Sequence, residues 1–282
     1  MERLWFVTNP ASGSSGAARR AAIDAVFAEC GLVLASETEF PRESLPDAAI
    51  LDRARVDTLV LFAGDGTINA ALCALADWPG DALILPGGTM NLLAKALHGS
   101  RDPATIVRAA HAGARRTALP CIEAGPHRAF VGLILGPAAH WARAREAARR
   151  RRWRNLVAAA RNAWRRTFAR GIRLTGVTRL TERYQAVLVA PAGDALSVAA
   201  IDARDWRAIG ELGWGWLSGD WLAARAVTSE RVPRLGIHGH RAVLALFDGE
   251  PVLLDPDVAI TAGETPARFL TTQRLAPARG DP

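Results

Sequence analysis

The chain has 282 residues, half of them hydrophobic, and a formal net charge of +7 at neutral pH, so it should be globular, with one large or two moderate domains. No uninterrupted apolar run approaches the roughly 20 residues that span a bilayer, and the N-terminus enters strand-like sequence without a signal-peptide pattern. The three cysteines, Cys30, Cys73 and Cys121, lack metal-ligand spacing and suit a reduced cytosolic setting, while the positive charge favours anionic partners without choosing among nucleotides, nucleic acid and acidic membrane.

Residues 4–7 read as a first strand, followed by the loop Thr8-Asn9-Pro10-Ala11-Ser12-Gly13-Ser14-Ser15-Gly16 and a helix over about 17–30. The loop lacks the Gly-Lys-Ser/Thr ending of a Walker loop and the glycine spacing of a dinucleotide fingerprint. Asn9, Ser12 and the loop amides either contact phosphate or only shape the turn. Residues 32–38 form the next strand, with Thr38 at its carboxyl end.

Residues 57–97 show one construction twice. An apolar run, 58–62, stops at Ala63-Gly64-Asp65-Gly66-Thr67 and gives way to helical spacing over 68–75; a second run, 82–85, passes through Pro86-Gly87-Gly88-Thr89 into 90–97. Such runs, bounded by Gly and Pro and alternating with helices, predict buried parallel strands with crossover helices. The turns then lie at the carboxyl edge of the sheet, where open α/β sheets bind ligands. Glycines there permit positive φ and close approach of a ligand, and the helix N-termini favour an anion, which points to phosphate. Asp65 would repel a polyphosphate unless a divalent cation intervened, so a nucleotide with Mg²⁺ resolves the conflict. The bland reading makes Asp65 a helix cap and the glycines turn formers.

After a helix over 103–114 the pattern changes to short strands, near 116–122, 128–135, 184–190, 196–201, 234–237, 242–247 and 258–261, which predicts an all-β second domain. Residues 138–170 read as an Ala- and Arg-rich helical insertion, with Trp153, Leu156, Val157, Ala160 and Trp164 along one face. That face either packs on the β domain or lies on an anionic bilayer surface. Trp206, Trp214, Trp216 and Trp221 form a second aromatic cluster. Asp248-Gly249-Glu250 follows a strand and presents carboxylates at its end. The six histidines show no zinc-hydrolase spacing, and no nucleic-acid reader motif accompanies the charge.

Taken together, Asn9-Pro10-Ala11-Ser12-Gly13, Gly64-Asp65-Gly66-Thr67-Ile68-Asn69 and Leu85-Pro86-Gly87-Gly88-Thr89-Met90-Asn91, with Asp248-Gly249-Glu250 later, resemble the lipid kinase family of bacterial diacylglycerol kinases and eukaryotic sphingosine and ceramide kinases. Where the family usually has Gly-Gly-Asp-Gly-Thr, this chain has Ala63 at the first glycine, a mild change if that position does not need positive φ.

The resemblance implies an α/β fold: an N-terminal nucleotide domain shared with NAD kinases and phosphofructokinases, residues 1–118, then a lipid-binding β-sandwich, residues 119–282, with the helical insertion. By position it implies that Asn9, Pro10, Ala11, Ser12, Gly13, Thr38, Ala63, Gly64, Asp65, Gly66, Thr67, Ile68, Asn69 and Thr89 contact ATP. Asp65 would help position Mg²⁺, Glu250 would accept the proton of the lipid hydroxyl, and Asp248 would be a supporting carboxylate. A second Mg²⁺ site, known in some members, would involve Asp194, but aspartate and glycine stand exchanged in Gly193-Asp194. The expected activity is ATP- and Mg²⁺-dependent phosphorylation of a diacylglycerol-like or sphingoid-like lipid at the inner membrane face, by a cytoplasmic, peripherally associated enzyme without nucleic-acid partners. A homodimer, a soluble-substrate kinase of the NAD kinase kind and a catalytically silent lipid-binding module stay open.

Overall fold

In the computed structural model, structure is described for residues 1–12, 16–75, 78–89, 91–136, 171–201, 227–265 and 268–273. These form two compact units, one of residues 1–119 with the chain from Glu264, the other of residues 120–263.

The first unit is built on a sheet of order β2-β1-β3-β4-β18-β5. Its strands are β1 (Arg3–Thr8), β2 (Val33–Glu39), β3 (Thr58–Ala63), β4 (Asp81–Pro86), β5 (Arg115–Thr117) and β18 (Arg268–Thr271), with helices α1 (Ala17–Glu29), α2 (Ala48–Arg53), α3 (Asp65–Ala74), α4 (Leu92–His98) and α5 (Pro103–Gly113). β1, β2, β3, β4 and β18 run parallel, and only β5 is antiparallel. Every residue of β3 is buried, as is all of β4 except the half-buried Pro86, because these central strands are covered on both faces. β2 lies at the edge and exposes Val33 and Leu34. Phe6 anchors one side of the core, edge-on to Phe27 at 5.4 Å and stacked with Phe62 at 6.4 Å.

The sequence reading carried the β domain through residue 282. The chain from Glu264 instead belongs with the first unit, since β18 pairs in parallel with β4 (Phe269↔Ala82) and antiparallel with β5 (Phe269↔Thr117). Phe269 is fully buried there, and the Asp81 carboxylate, 2.8 Å from the Arg116 Nε and 3.4 Å from the Arg268 Nε, ties the three strands together.

The end of β18 also closes over α4. Thr271 donates its hydroxyl to the Leu97 carbonyl at 2.7 Å, and Thr272 meets the Nδ1 of the buried His98 at 3.1 Å. Burial, with Arg101 adding positive charge, pushes His98 from 6.5 down to about 4. The unfolded chain therefore takes up a proton that the folded one refuses, so stability is lost as pH falls from about 6.5 to about 4, by about 1.4 kcal/mol per unit at most. Denaturation at pH 7 and pH 5 should show a loss of about 2 kcal/mol from this group, absent in His98→Gln. An equal pH response in both proteins would contradict it.

The second unit holds two six-stranded sheets, β10-β9-β14-β17-β6-β7 and β13-β12-β11-β8-β15-β16. The first comprises β6 (Pro120–Ala124), β7 (His127–Ala129), β9 (Ile172–Thr175), β10 (Arg183–Tyr184), β14 (Arg234–His238) and β17 (Ile260–Glu264). The second comprises β8 (Leu133–Leu135), β11 (Ala186–Ala192), β12 (Ala195–Ile201), β13 (Val227–Val232), β15 (Val243–Phe247) and β16 (Glu250–Leu254). Ile122, Leu174, Leu235 and Ile260 of one sheet meet Leu135, Val187, Val198 and Phe247 of the other in one core. The strand expected over 116–122 is two strands in different sheets, broken before Pro120, whose missing N–H cannot continue a ladder. The predicted insertion 138–170 and the aromatic cluster of Trp206, Trp214, Trp216 and Trp221 lie outside the described residues.

Candidate active site

Three strand ends converge in the first unit, those of β1, β3 and β4, which are neighbours in the sheet. After β1, Asn9 makes a local turn: its Oδ1 accepts from the Ala11 amide at 3.0 Å and its carbonyl accepts from the Ser12 amide at 3.0 Å. The same side chain reaches across to β3's loop, Nδ2 donating to the Thr67 Oγ1 at 2.8 Å. Ser12 adds a second link, its Oγ accepting from the Gly64 amide at 3.1 Å. Two side chains of the first loop thus fix the start of α3.

The third loop packs on the second backbone to backbone. The Gly87 amide donates to the Ala63 carbonyl at 3.2 Å. A Cβ on Gly87 would stand 2.6 Å from the Ala63 nitrogen, and one on Gly88 would stand 2.6 Å from the Gly64 Cα. The expectation that these glycines supply positive φ is corrected here: Gly64, Gly87 and Gly88 are absent from the positive-φ residues, and their lack of a side chain serves the contact between loops. Ala63, too, has no positive φ, so the methyl in place of the family's glycine is unstrained. Among the described residues of the motif, the left-handed one is Asn91, at φ 51°, a conformation asparagine tolerates. Its Oδ1 accepts from the Gly88 amide at 2.6 Å and its Nδ2 donates to the Gly88 carbonyl at 2.9 Å, clamping the turn. Sequence reasoning quoted Asn91 in the motif but gave it no role; an asparagine directly before a helix after a Gly-Gly turn was the available signal.

Asp65 opens α3, and its Oδ1 accepts from the Leu92 amide at 2.8 Å. It therefore does act as a cap, but of the neighbouring helix α4, joining the second and third loops through its charge. Helix ends elsewhere in the unit are treated differently. α2 and α5 carry their own side-chain caps, Asp47 and Asp102, whereas α1, α3 and α4, which follow the three loops, have no cap from their N-cap residue. The N-termini of α1 and α3, at the carboxyl edge of parallel strands, keep amide donors and positive partial charge for an anion, while that of α4 is met by Asp65.

The remaining expected contacts divide by burial. Pro10, Ala11 and Thr89 are exposed, and Gly66 and Asn69 are half-buried on the first turns of α3. Ile68 is 2% exposed, so its side chain belongs to the core and only its backbone can serve a ligand. Thr38 is buried with its hydroxyl accepting from the Trp5 indole at 3.0 Å, a partner that sequence reasoning missed. Gly13 lies outside the described residues.

The carboxylates of the second unit are placed as follows. Asp248 and Gly249 occupy the tight turn of the β15–β16 hairpin, closed by Phe247↔Glu250, with positive φ at both residues, 50° and 95°. Asp248 is buried, and its carboxylate accepts from three successive amides, Phe130 at 2.9 Å, Val131 at 2.9 Å and Gly132 at 3.0 Å. It holds the β7–β8 connection against the hairpin, while Glu250, the next residue after the turn, is exposed. Asp194 is exposed in the turn between β11 and β12, beside Gly193 at φ 71°. No group of three metal-binding side chains occurs among the described residues.

Residues 3–120 match the family model of the diacylglycerol kinase catalytic domain. No curated protein sequence matches the chain. Among solved structures, a diacylglycerol kinase from Bacillus anthracis str. Sterne is 12% identical, with 96% of each chain covered and a TM-score of 0.65. A protein of the same strain, assigned provisionally as a diacylglycerol kinase, is 15% identical at a TM-score of 0.67, covering 96% of this chain and 97% of that one. At such identities the likeness is one of fold, and it extends over both units; the family match is confined to the unit that carries the loops. Residues 3–120 are thus similar to a diacylglycerol kinase catalytic domain.

Proposed function

We propose that this protein is a lipid kinase that transfers the γ-phosphate of ATP to a hydroxyl of a diacylglycerol-like or sphingoid-like lipid, with a nucleotide domain of the NAD kinase kind and a β-sandwich for the lipid. The observation that carries this reading is the interlocked cradle of the three loops, whose glycines admit backbone contact and whose following helices lack their own caps. Phosphoryl transfer asks for positioning and charge compensation more than for covalent chemistry, and a rigid cradle at helix N-termini supplies both.

In this reading the amides that open α3 bind phosphate oxygens, and Asn9 and Ser12 keep α3 in register with the β1 loop. A single carboxylate beside a phosphate cradle fits the usual Mg²⁺ donor set, one or two carboxylates completed by phosphates. Asp65 would hold the ion, which when bound supplies charge neutralisation on the phosphates. Glu250 would accept the proton of the lipid hydroxyl, and Asp248 positions the turn from which Glu250 projects. The lipid would be met at an anionic membrane face; the net charge of +7 supports that partner. No helix among the described residues is long and apolar enough to cross a membrane.

Transfer of label from γ-labelled ATP to diacylglycerol, sphingosine and ceramide in mixed micelles tests the reading. Glu250→Gln should lower kcat by about 10²- to 10⁴-fold and Asp65→Asn on the order of a hundredfold, both with unchanged melting temperature. Asparagine at position 65 can still accept from the Leu92 amide, so folding should survive while the charge is lost. Label on a soluble acceptor instead, or on none despite nucleotide binding, would overturn the lipid kinase assignment.

A further inference from the structure

A polar cavity of about 380 Å³ opens in the first unit and shares no residue with the glycine cradle. Arg101, Arg115, Thr271, Thr272 and Gln273 line it with the end of α5, and none of its described lining residues is acidic. Its place follows from register. β18 runs parallel to β4 with Phe269 beside Ala82, and continuing that register puts Thr271 beside Ile84, near the carboxyl end of the parallel strands. Arg115 pairs with Thr271 from the antiparallel neighbour, so it sits at the same edge.

Several arginines of this unit have counter-charges, Arg20 with Glu37, Arg108 with Glu29, and Arg116 and Arg268 with Asp81, while Arg3, Arg53 and Arg55 have none among the described residues, as at this cavity. Arg101 and Arg115 form no ion pair among the described residues. The nearby Asp102 carboxylate is directed to Thr105, accepting from its amide at 3.0 Å and from its hydroxyl. The carbonyl end of α5 carries roughly half a negative charge, less than two guanidinium groups bring. The donors beside them are held in place. Thr272 is pinned by His98, and Gly99, at φ 71°, leaves room for the Gln273 amide where a Cβ would come within 2.3 Å of its nitrogen.

We propose that this cavity is a second anion site, separate from the nucleotide cradle, that takes a phosphate-bearing ligand between Arg101 and Arg115. Forked guanidinium donors with the Gln273 side-chain amide beside them match the oxygens of a phosphate, and the volume exceeds that of one inorganic phosphate. The phosphate belongs either to a soluble compound or to a lipid headgroup.

The test uses the full chain with its nucleotide site saturated by a non-hydrolysable ATP analogue, and inorganic pyrophosphate as the probe in calorimetric titration. One further equivalent should bind, weakened at least tenfold by Arg101→Gln with Arg115→Gln, and within twofold of wild type in the charge-matched control Arg42→Gln with Arg53→Gln. Gln273→Ala, an exposed position, repeats the test should the double variant melt early. A parallel arm measures binding to phosphatidylcholine vesicles with and without phosphatidylglycerol. Vesicle binding lost with the pocket arginines, beyond the control, and competed by pyrophosphate supports the site with a lipid headgroup as its ligand. Unchanged vesicle binding with lost pyrophosphate binding supports it with a soluble phosphate. No pyrophosphate bound once the nucleotide site is full, or equal binding by wild type and pocket variants, overturns the proposal.

Discussion

Asp248→Ala is expected to destabilise the second unit by about 3–5 kcal/mol, the largest effect of any single substitution considered for it. The carboxylate accepts from the amides of Phe130, Val131 and Gly132, and Phe130 is itself buried. Removing it strands several donors at once, each worth about 1–3 kcal/mol when left unpaired. Alanine also tolerates the φ of 50° at this position less well than aspartate does. Asp248→Asn keeps the turn but offers only one acceptor oxygen, so it should fall between alanine and wild type. Urea denaturation followed by intrinsic fluorescence measures all three. Wild-type stability in Asp248→Ala would show that the three-amide arrangement carries no weight in solution.

Gly88→Ala should damage nucleotide binding severely for a change confined to one methyl group. Its Cβ would lie 2.6 Å from the Gly64 Cα and 3.2 Å from the Asn91 Oδ1, and the closer neighbour is backbone that cannot swing aside. The second and third loops must separate, at a cost of about 1–3 kcal/mol in stability and at least about tenfold in ATP affinity. Gly64→Ala, with its closest approach 3.3 Å from a serine hydroxyl, should be milder, and Gly16→Ala, which meets nothing within 4 Å, should leave stability unchanged. Equal ATP affinity in Gly88→Ala and wild type would show that the packing of the two loops does not shape the phosphate site.

Legibility in the sequence followed the range of the interaction. The parallel strands β1, β3 and β4 were readable because burial on both faces leaves near-continuous apolar runs, and their glycine turns mark the ends. The tight turn at Asp248-Gly249 was readable because positive φ at both residues restricts which side chains fit. Long-range partners were not readable. Nothing local in Arg268–Thr271 shows that it pairs with a strand nearly two hundred residues earlier, since a four-residue strand takes its place from its neighbours. Asp248 read as a supporting carboxylate of the chemistry, whereas its partners are amides more than a hundred residues away in sequence. The glycine turns do follow the strands as read, but their spacing shows only a tight passage, and the fold alone shows that what passes so closely is another glycine loop.

Hydrogen–deuterium exchange with and without a non-hydrolysable ATP analogue tests the cradle most directly, because it reads the amides of all three loops in one experiment. Bound nucleotide should slow exchange together at residues 9–12, 64–68 and 87–92, and leave the edge strand β2 at residues 33–36 unchanged. Protection confined to one loop, or appearing only outside all three, would contradict the claim that these strand ends form a single triphosphate site.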